Sequence, residues 1–145
     1  MKLVRVFVAV AALGLCLAFV EAALADLGLT ITTLNVRVGD TLRGYGNASG
    51  MPVYLVPESH APHPISCHDG AALCAPRSWQ PPGKPYVLLG YLRRTRPNYK
   101  RQRFAFRVPA VAPGRYQVAF WCQPCGRRLI LAGATLHGQV VTVGR

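Results

Sequence analysis

Apolar and polar residues alternate along this chain in short runs. The clearest case is RFAFRVPAVAPGRYQVAFWCQPC at 103–125. Phe104, Phe106 and Val108 fall on one face of a first run, and Tyr116, Val118, Phe120 and Cys122 on one face of a second. A period of two places residues i, i+2 and i+4 on one side of a strand. Pro109 and Pro113 lack the amide donor that a ladder needs, and Gly114 permits a turn, so the segment between the runs is a corner. Aromatic side chains facing each other across two layers would anchor a sandwich core.

Shorter runs of the same kind precede and follow. Leu29–Thr32 predicts a first strand, which Asn35–Val38 continues after a kink. Gly39-Asp40 is a turn. Thr41–Tyr45 predicts a second strand, where Gly44 and Gly46 mark bulging or close backbone approach. Asn47–Gly50 is a loop that also matches an N-glycosylation acceptor. Met51–Val56 predicts a third strand closed by Pro57, and Tyr86–Leu92 another. Arg93–Arg103 is a connector centred on Pro97-Asn98. Arg127–Leu131 and Leu136–Val143 end the chain, separated by Ala132-Gly133-Ala134. Between Glu58 and Pro85 no period survives. That stretch is rich in proline and carries His60, His63, His68, Cys67 and Cys74. A loop this long in a compact domain is functional, disordered or a stapled excursion.

The pattern is that of an all-β sandwich of about seven to nine short antiparallel strands. No convincing helix follows the first 25 positions. Those positions are a different kind of segment. Lys2 and Arg5 precede an apolar run from Val6 to Val20, and Ala23-Leu24-Ala25 supplies small residues for a signal peptidase. Residues 1–25 are expected to be a secretory signal, and residues 26–145 one domain with its long loop at 58–85. An uncleaved segment would instead be an anchor, since a spanning helix needs about 20 apolar residues. Leu15 before Cys16 is not the small residue that a lipoprotein site wants.

Some of these residues carry a resemblance. Val36-Arg37-Val38-Gly39-Asp40-Thr41 ahead of a Gly-rich strand resembles the opening of immunoglobulin-like domains in exported actinobacterial proteins. So does Val108-Pro109 leading to Pro113-Gly114-Arg115-Tyr116, a strand and a Cys-x-x-Cys. The likeness spans about residues 29–143 without the loop at 58–85 and is one of fold. It implies an immunoglobulin-like β-sandwich at the cell surface or outside the cell, with no defined chemistry. It also offers Tyr116 as a tyrosine corner, six residues before Cys122 rather than the two of antibody domains.

Composition adds a charge. The chain has 145 residues with Lys+Arg 17 against Asp+Glu 5, a net charge of +12. Lys2, Lys84 and Lys100 are the only lysines, so arginine dominates, and guanidinium favours bidentate contacts to carboxylate or phosphate. A GC-rich genome would also enrich Arg, Ala, Gly, Pro and Val. The densest cluster is YLRRTRPNYKRQRFAFR at 91–107, with Arg93, Arg94, Arg96, Lys100, Arg101 and Arg103 on a connector flanked by Tyr91 and Tyr99. Cations interleaved with aromatics suit nucleic acid, but export argues against it. An anionic cell-envelope polymer or an acidic protein is the better partner, weighed against a solvated loop that keeps the domain soluble.

Three other chemistries can be weighed. Beyond Cys16, Cys67, Cys74, Cys122 and Cys125 form an even set, which in an exported chain points to disulfides in one of three pairings. Trp121-Cys122-Gln123-Pro124-Cys125 resembles the thioredoxin active site. Redox chemistry there needs a thiolate at a helix N-terminus inside an α/β fold. The sequence after Gly126 is short and strand-like, so a structural disulfide is the expectation. His60, His63 and His68 with Cys67 are the metal alternative, suited to copper or zinc but without the spacing of a zinc finger. A Cys67–Cys74 bridge closing a solvated loop competes with it. Hydrolysis would have to use Glu58 and Asp69, or Ser59 or Ser66 with His60 or His68 and Asp69, all in the irregular loop. No catalytic residue and no cofactor is expected.

Overall fold

The computed structural model describes residues 27–60, 63–67, 73–81, 83–96, 100–133 and 138–145. The secretory segment expected at 1–25 lies outside them. Among the described residues the chain forms, in order, β1 (Leu29–Ile31), β2 (Asn35–Arg37), β3 (Thr41–Gly46), β4 (Pro52–Pro57), a 3-10 turn (Glu58–His60), β5 (Ile65–Ser66), β6 (Leu73–Cys74), β7 (Val87–Tyr91), β8 (Gln102–Arg107), β9 (Gly114–Cys122), β10 (Arg128–Leu131) and β11 (Val140–Gly144). The two expected runs at the centre are β8 and β9. The additional strands beyond the expected seven to nine are short pieces, chiefly β5 and β6 inside the long loop.

One sheet has the order β1-β3-β8. The other is built on β9. Its Tyr116–Phe120 stretch pairs with β4 along one edge. Along the other edge β11 pairs with Gly114–Gln117 and β10 with Ala119–Cys122, so these two short strands lie end to end. β7 extends the sheet beyond β4, and β6 with β5 beyond β10. The kink after Ile31 does more than bend a strand. β1 pairs antiparallel with β3, whereas β2 pairs parallel with β11 in the opposite sheet. Leaving aside β5 and β6, and counting β1 with β2 as one divided first strand and β10 with β11 as one divided seventh, the sheets carry first-second-fifth and fourth-third-sixth-seventh strands. This order is compatible with a β-sandwich of immunoglobulin type.

The core between the sheets follows the alternation. Leu42, Val53, Leu55, Val118, Phe120 and Val141 are fully buried, with Phe104 and Phe106 packed against them. Each such side chain contributes about 1.5–3 kcal/mol on burial. The Tyr116 hydroxyl donates to the Ala112 carbonyl at 2.7 Å. The corner bond therefore forms, across the Pro/Gly bend, despite the six-residue spacing to Cys122. The outer edge of β1 is closed by a side chain. Gln139 donates from Nε2 to the Ile31 carbonyl (2.9 Å) and accepts from the Ile31 amide (2.6 Å), imitating a neighbouring strand. The Gly133 amide does the same for the Leu29 carbonyl.

β9 departs from simple alternation, because Gln117 and Ala119 are buried as well as their neighbours. The reason is a second apolar cluster on the outside of the β9 sheet, made of Val56, Ala75, Trp79, Ala119, Leu129 and Leu131. The Pro/His/Cys loop supplies Ala75 and Trp79, which close it from outside. β6 pairs with β10 at Cys74 and Ile130, the Ala75 amide bonds the Leu129 carbonyl, and Trp79 lies 2% exposed over the sheet. The expected excursion is a cover. Cys67 and Cys74 form one disulfide, with Cα atoms 5.1 Å apart, and Cys122 and Cys125 the other, at 5.2 Å.

Gly44 and Gly46 are the close approaches that the sequence suggested. A Cβ on Gly44 would overlap the Thr30 carbonyl and the Phe104 ring, and one on Gly46 the Gly28 carbonyl and Leu29. The Gly44→Ala variant is expected to lose about 1–3 kcal/mol through overpacking against backbone that cannot yield. Its urea midpoint should fall with little change in slope, and an unchanged midpoint would contradict the packing described.

Candidate anion-binding face

Strand alternation fixes which side chains of the β1-β3-β8 sheet face water. On β3, Leu42 and Gly44 point inward, so Arg43 and Tyr45 point outward. On β8, Phe104 and Phe106 point inward, so Arg103, Ala105 and Arg107 point outward. The register sets Tyr45 opposite Arg103, Arg43 opposite Ala105 and Thr41 opposite Arg107. Arg101, one residue before β8, stacks its guanidinium 3.8 Å from the centroid of the Tyr45 ring. Tyr45, Arg101, Gln102 and Arg103 line a shallow depression of about 420 Å³.

All six cations singled out from the sequence are exposed. They divide into two groups. Arg101 and Arg103 lie on the sheet face. Arg93, Arg94 and Arg96 lie on the connector beside loop 47–50, at the same end of the sandwich. Ser49 ties that connector down, its Oγ accepting from the Thr95 amide at 2.8 Å, and Gln102 Nε2 donates to the Arg93 carbonyl at 2.7 Å. The Arg94 stem runs against Gly50. Lys100 precedes the sheet, and Tyr99 lies outside the described residues. Asn47, the glycosylation-type asparagine, accepts from the Gly28 amide at 2.7 Å, so its side chain serves the loop.

Sequence reading missed Arg43 and Tyr45 as members of this surface. Alternation in TLRGYG was enough to turn them outward. What it lacked was the pairing of β3 with β8, a contact between segments some sixty positions apart.

The carboxylates are committed elsewhere. Among the described residues the acidic side chains are Asp40 and Glu58. Asp40 accepts from the Arg37 amide at 2.7 Å inside its own turn. Glu58 pairs with Arg115, accepting from Nε at 2.5 Å and from a terminal nitrogen at 3.2 Å. No other ion pair occurs among the described residues. Among the described residues Arg43, Arg101, Arg103 and Arg107 make no ion pair, Asp40 standing near the Arg107 end, and a surface with this excess of positive charge attracts anions from solution.

The other candidate residues fall only partly within the described residues. Cys67 is spent in its disulfide and is no thiolate for a metal. His60 ends the 3-10 turn, His63 is exposed nearby, and His68 lies outside the described residues. Among the described residues no three His, Cys, Asp or Glu side chains gather as a metal site. Cys122 is fully buried at the end of β9, and its sulfur accepts from the Cys125 amide at 3.1 Å in the turn to β10. No helix N-terminus faces it, so the electrostatic device that activates a thioredoxin cysteine is missing from its described surroundings. Glu58, Ser59 and His60 line an open groove of about 800 Å³ with Arg115 and Tyr116. There the Glu58 carboxylate is held by Arg115. Ser66 donates to the Cys67 carbonyl at 3.3 Å, and Asp69 lies outside the described residues.

Comparison with family models, curated proteins and solved structures finds no match to this chain.

Two outcomes follow from these sites. The hydrogen bond from Arg115 holds the Glu58 carboxyl below its ordinary value of 4.5, partial burial pushing the other way. A lowered native value gives stability that is complete above the ordinary carboxylate range and is lost as pH falls through the lowered value. The Arg115 side chain is 64% exposed, so water screens the pair and the effect is small. Glu58→Gln is expected to lower the melting midpoint slightly at neutral pH, the gap to wild type closing in acid; a gap that widens in acid would contradict the pairing. The double variant Cys122→Ser/Cys125→Ser is expected to lose about 2 kcal/mol, the low end for a short loop. With dithiothreitol, wild type should reduce insulin no faster than this variant. Clear turnover by wild type alone would overturn the structural role of the bridge.

Proposed function

We propose that this chain is an exported, non-enzymatic β-sandwich domain that adheres to an anionic partner at the cell surface, either an envelope polymer or an acidic protein. The attachment runs through the Arg93–Arg103 connector and the outer face of the β1-β3-β8 sheet. One observation carries this reading: Arg43, Arg101, Arg103 and Arg107 share one sheet face, and none of them is ion-paired among the described residues. A cluster of like charges costs folding free energy through self-repulsion, and an anionic ligand would offset that cost.

Export is supported by the two disulfides, which form and persist in oxidising compartments, and by the signal-like residues 1–25. The immunoglobulin-like domains of exported actinobacterial proteins, which the sequence resembles, act at the surface or beyond it. The same placement is proposed here. No helix among the described residues is long and apolar enough to cross a membrane.

Retention on an anionic polymer matrix tests the proposal. Wild type should bind at low salt and elute as the salt concentration rises, because exposed charges are screened beyond about 10 Å at 0.1 M. Replacing Arg43, Arg101, Arg103 and Arg107 together by Ala should weaken binding roughly tenfold or more, at a few tenths of a kcal/mol to about 1 kcal/mol per exposed contact. Failure of the wild-type domain to be retained at low salt would refute adhesion to anions.

A further inference from the structure

The four guanidiniums on the outer sheet face form a row. Along β8, Arg101, Arg103 and Arg107 occupy alternate outward positions, with Ala105 at the gap. Arg43 sits directly opposite Ala105 on β3 and fills that gap from one strand away. Each step of two residues along a strand is about 7 Å, so the four arginines leave the sheet at about 7 Å intervals over about 20 Å of its length. The guanidinium of its first member lies over the Tyr45 ring. All four members are exposed, and none is ion-paired among the described residues. Asp40 stands near the Arg107 end, with its carboxylate accepting from the Arg37 amide.

We infer, resting on the anion adhesion proposed above, that the ligand is a linear polyphosphodiester without bases, lying along β8 with one phosphate on each guanidinium. The fork of an arginine takes the two free oxygens of a phosphodiester side by side, and every member of the row is arginine. The backbone groups between β3 and β8 are used within the ladder. On the face of the sheet the row therefore offers side-chain donors only, which suits a polymer that has no amides to satisfy; the backbone groups that β8 leaves unpaired lie along its outer edge, beside the row. An extended acidic peptide lying on that face would bring amides that find no partner there. Single-stranded nucleic acid would need free aromatic faces for its successive bases. Tyr45 is the one aromatic side chain in the row, and Arg101 covers it.

Calorimetry with glycerol-phosphate oligomers of increasing length tests the inference on the full mature chain. Affinity should climb with each phosphate up to the fourth and then level off. The variant Arg103→Ala/Ala105→Arg keeps the net charge and changes only exposed positions, so it disturbs the spacing alone; it should bind the tetramer roughly tenfold more weakly. Tyr45→Ala removes no charge and should weaken binding about threefold by freeing Arg101, whereas Tyr45→Phe should not. If the spacing variant and Tyr45→Ala both bind like wild type while salt-dependent adhesion persists, the row has no register. The inference then falls and the proposed adhesion stands. If thymidine oligomers or a glutamate peptide of equal charge bind as tightly as the glycerol-phosphate tetramer, the ligand class is wrong. If wild type binds none of these polyanions at low salt, adhesion and row fall together.

Discussion

The sandwich is held by the nine residues of β9, which are paired along both edges and covered on both faces. One face, Tyr116, Val118, Phe120 and Cys122, closes the core against the β1-β3-β8 sheet. The opposite face, Gln117 and Ala119, is closed by Val56, Leu129, Leu131 and Trp79. A strand enclosed in this way cannot slip by one residue without turning Phe120 to the wrong side and breaking its ladders on both edges. Its two ends are fixed as well, by the Tyr116–Ala112 bond at one and the Cys122–Cys125 bridge at the other. The disulfides have a structural place in this scheme. Cys67–Cys74 fastens β6, which leads into the turn that places Trp79 against the β9 sheet.

Covering one sheet decides where the molecule can present a surface. The outside of the β9 sheet is occupied in large part by its own loop. The outer edge of β1 is occupied by Gln139. The outside of the β1-β3-β8 sheet is left to solvent, and there the outward positions of β3 and β8 carry arginine, tyrosine, threonine and alanine. The charge imbalance of the chain, +12 over its full length, is thus not spread evenly. The two carboxylates among the described residues are already engaged, Asp40 within its own turn and Glu58 with Arg115, 57 positions away.

How far this was readable from the sequence depended on the range of the contact involved. Alternation in FAFRV and YQVAFWC located β8 and β9, because that signal is local. The glycines at 44 and 46 announced crowding before their neighbours were known. The switch of β2 to the other sheet was not readable, since a kink at Thr32–Leu34 looks the same whether the strand resumes on its old partner or a new one. Trp79 was missed for a similar reason. In a stretch without periodicity, one large apolar residue has no face to belong to until the segment folds onto β9. The basic connector was legible as composition, but its extension to Arg43 and Tyr45 came from a pairing that sequence does not print.

The arrangement of arginines still has to be weighed against the simplest structural use of charge. An edge strand exposes unpaired backbone groups, and charged side chains on it discourage pairing with another chain. β8 is such an edge, so Arg103 and Arg107 could be accounted for in that way. Arg43 could not, because β3 lies between β1 and β8 and has no free edge to protect. Nor does edge protection call for Arg101 to lie over the Tyr45 ring, an arrangement that restricts the side chain instead of letting it sweep the edge. A sheet whose backbone is already fixed sets the intervals at which these arginines leave it, so a ligand would have only side chains left to order. On a loose connector the same charges would require the backbone to be ordered as well.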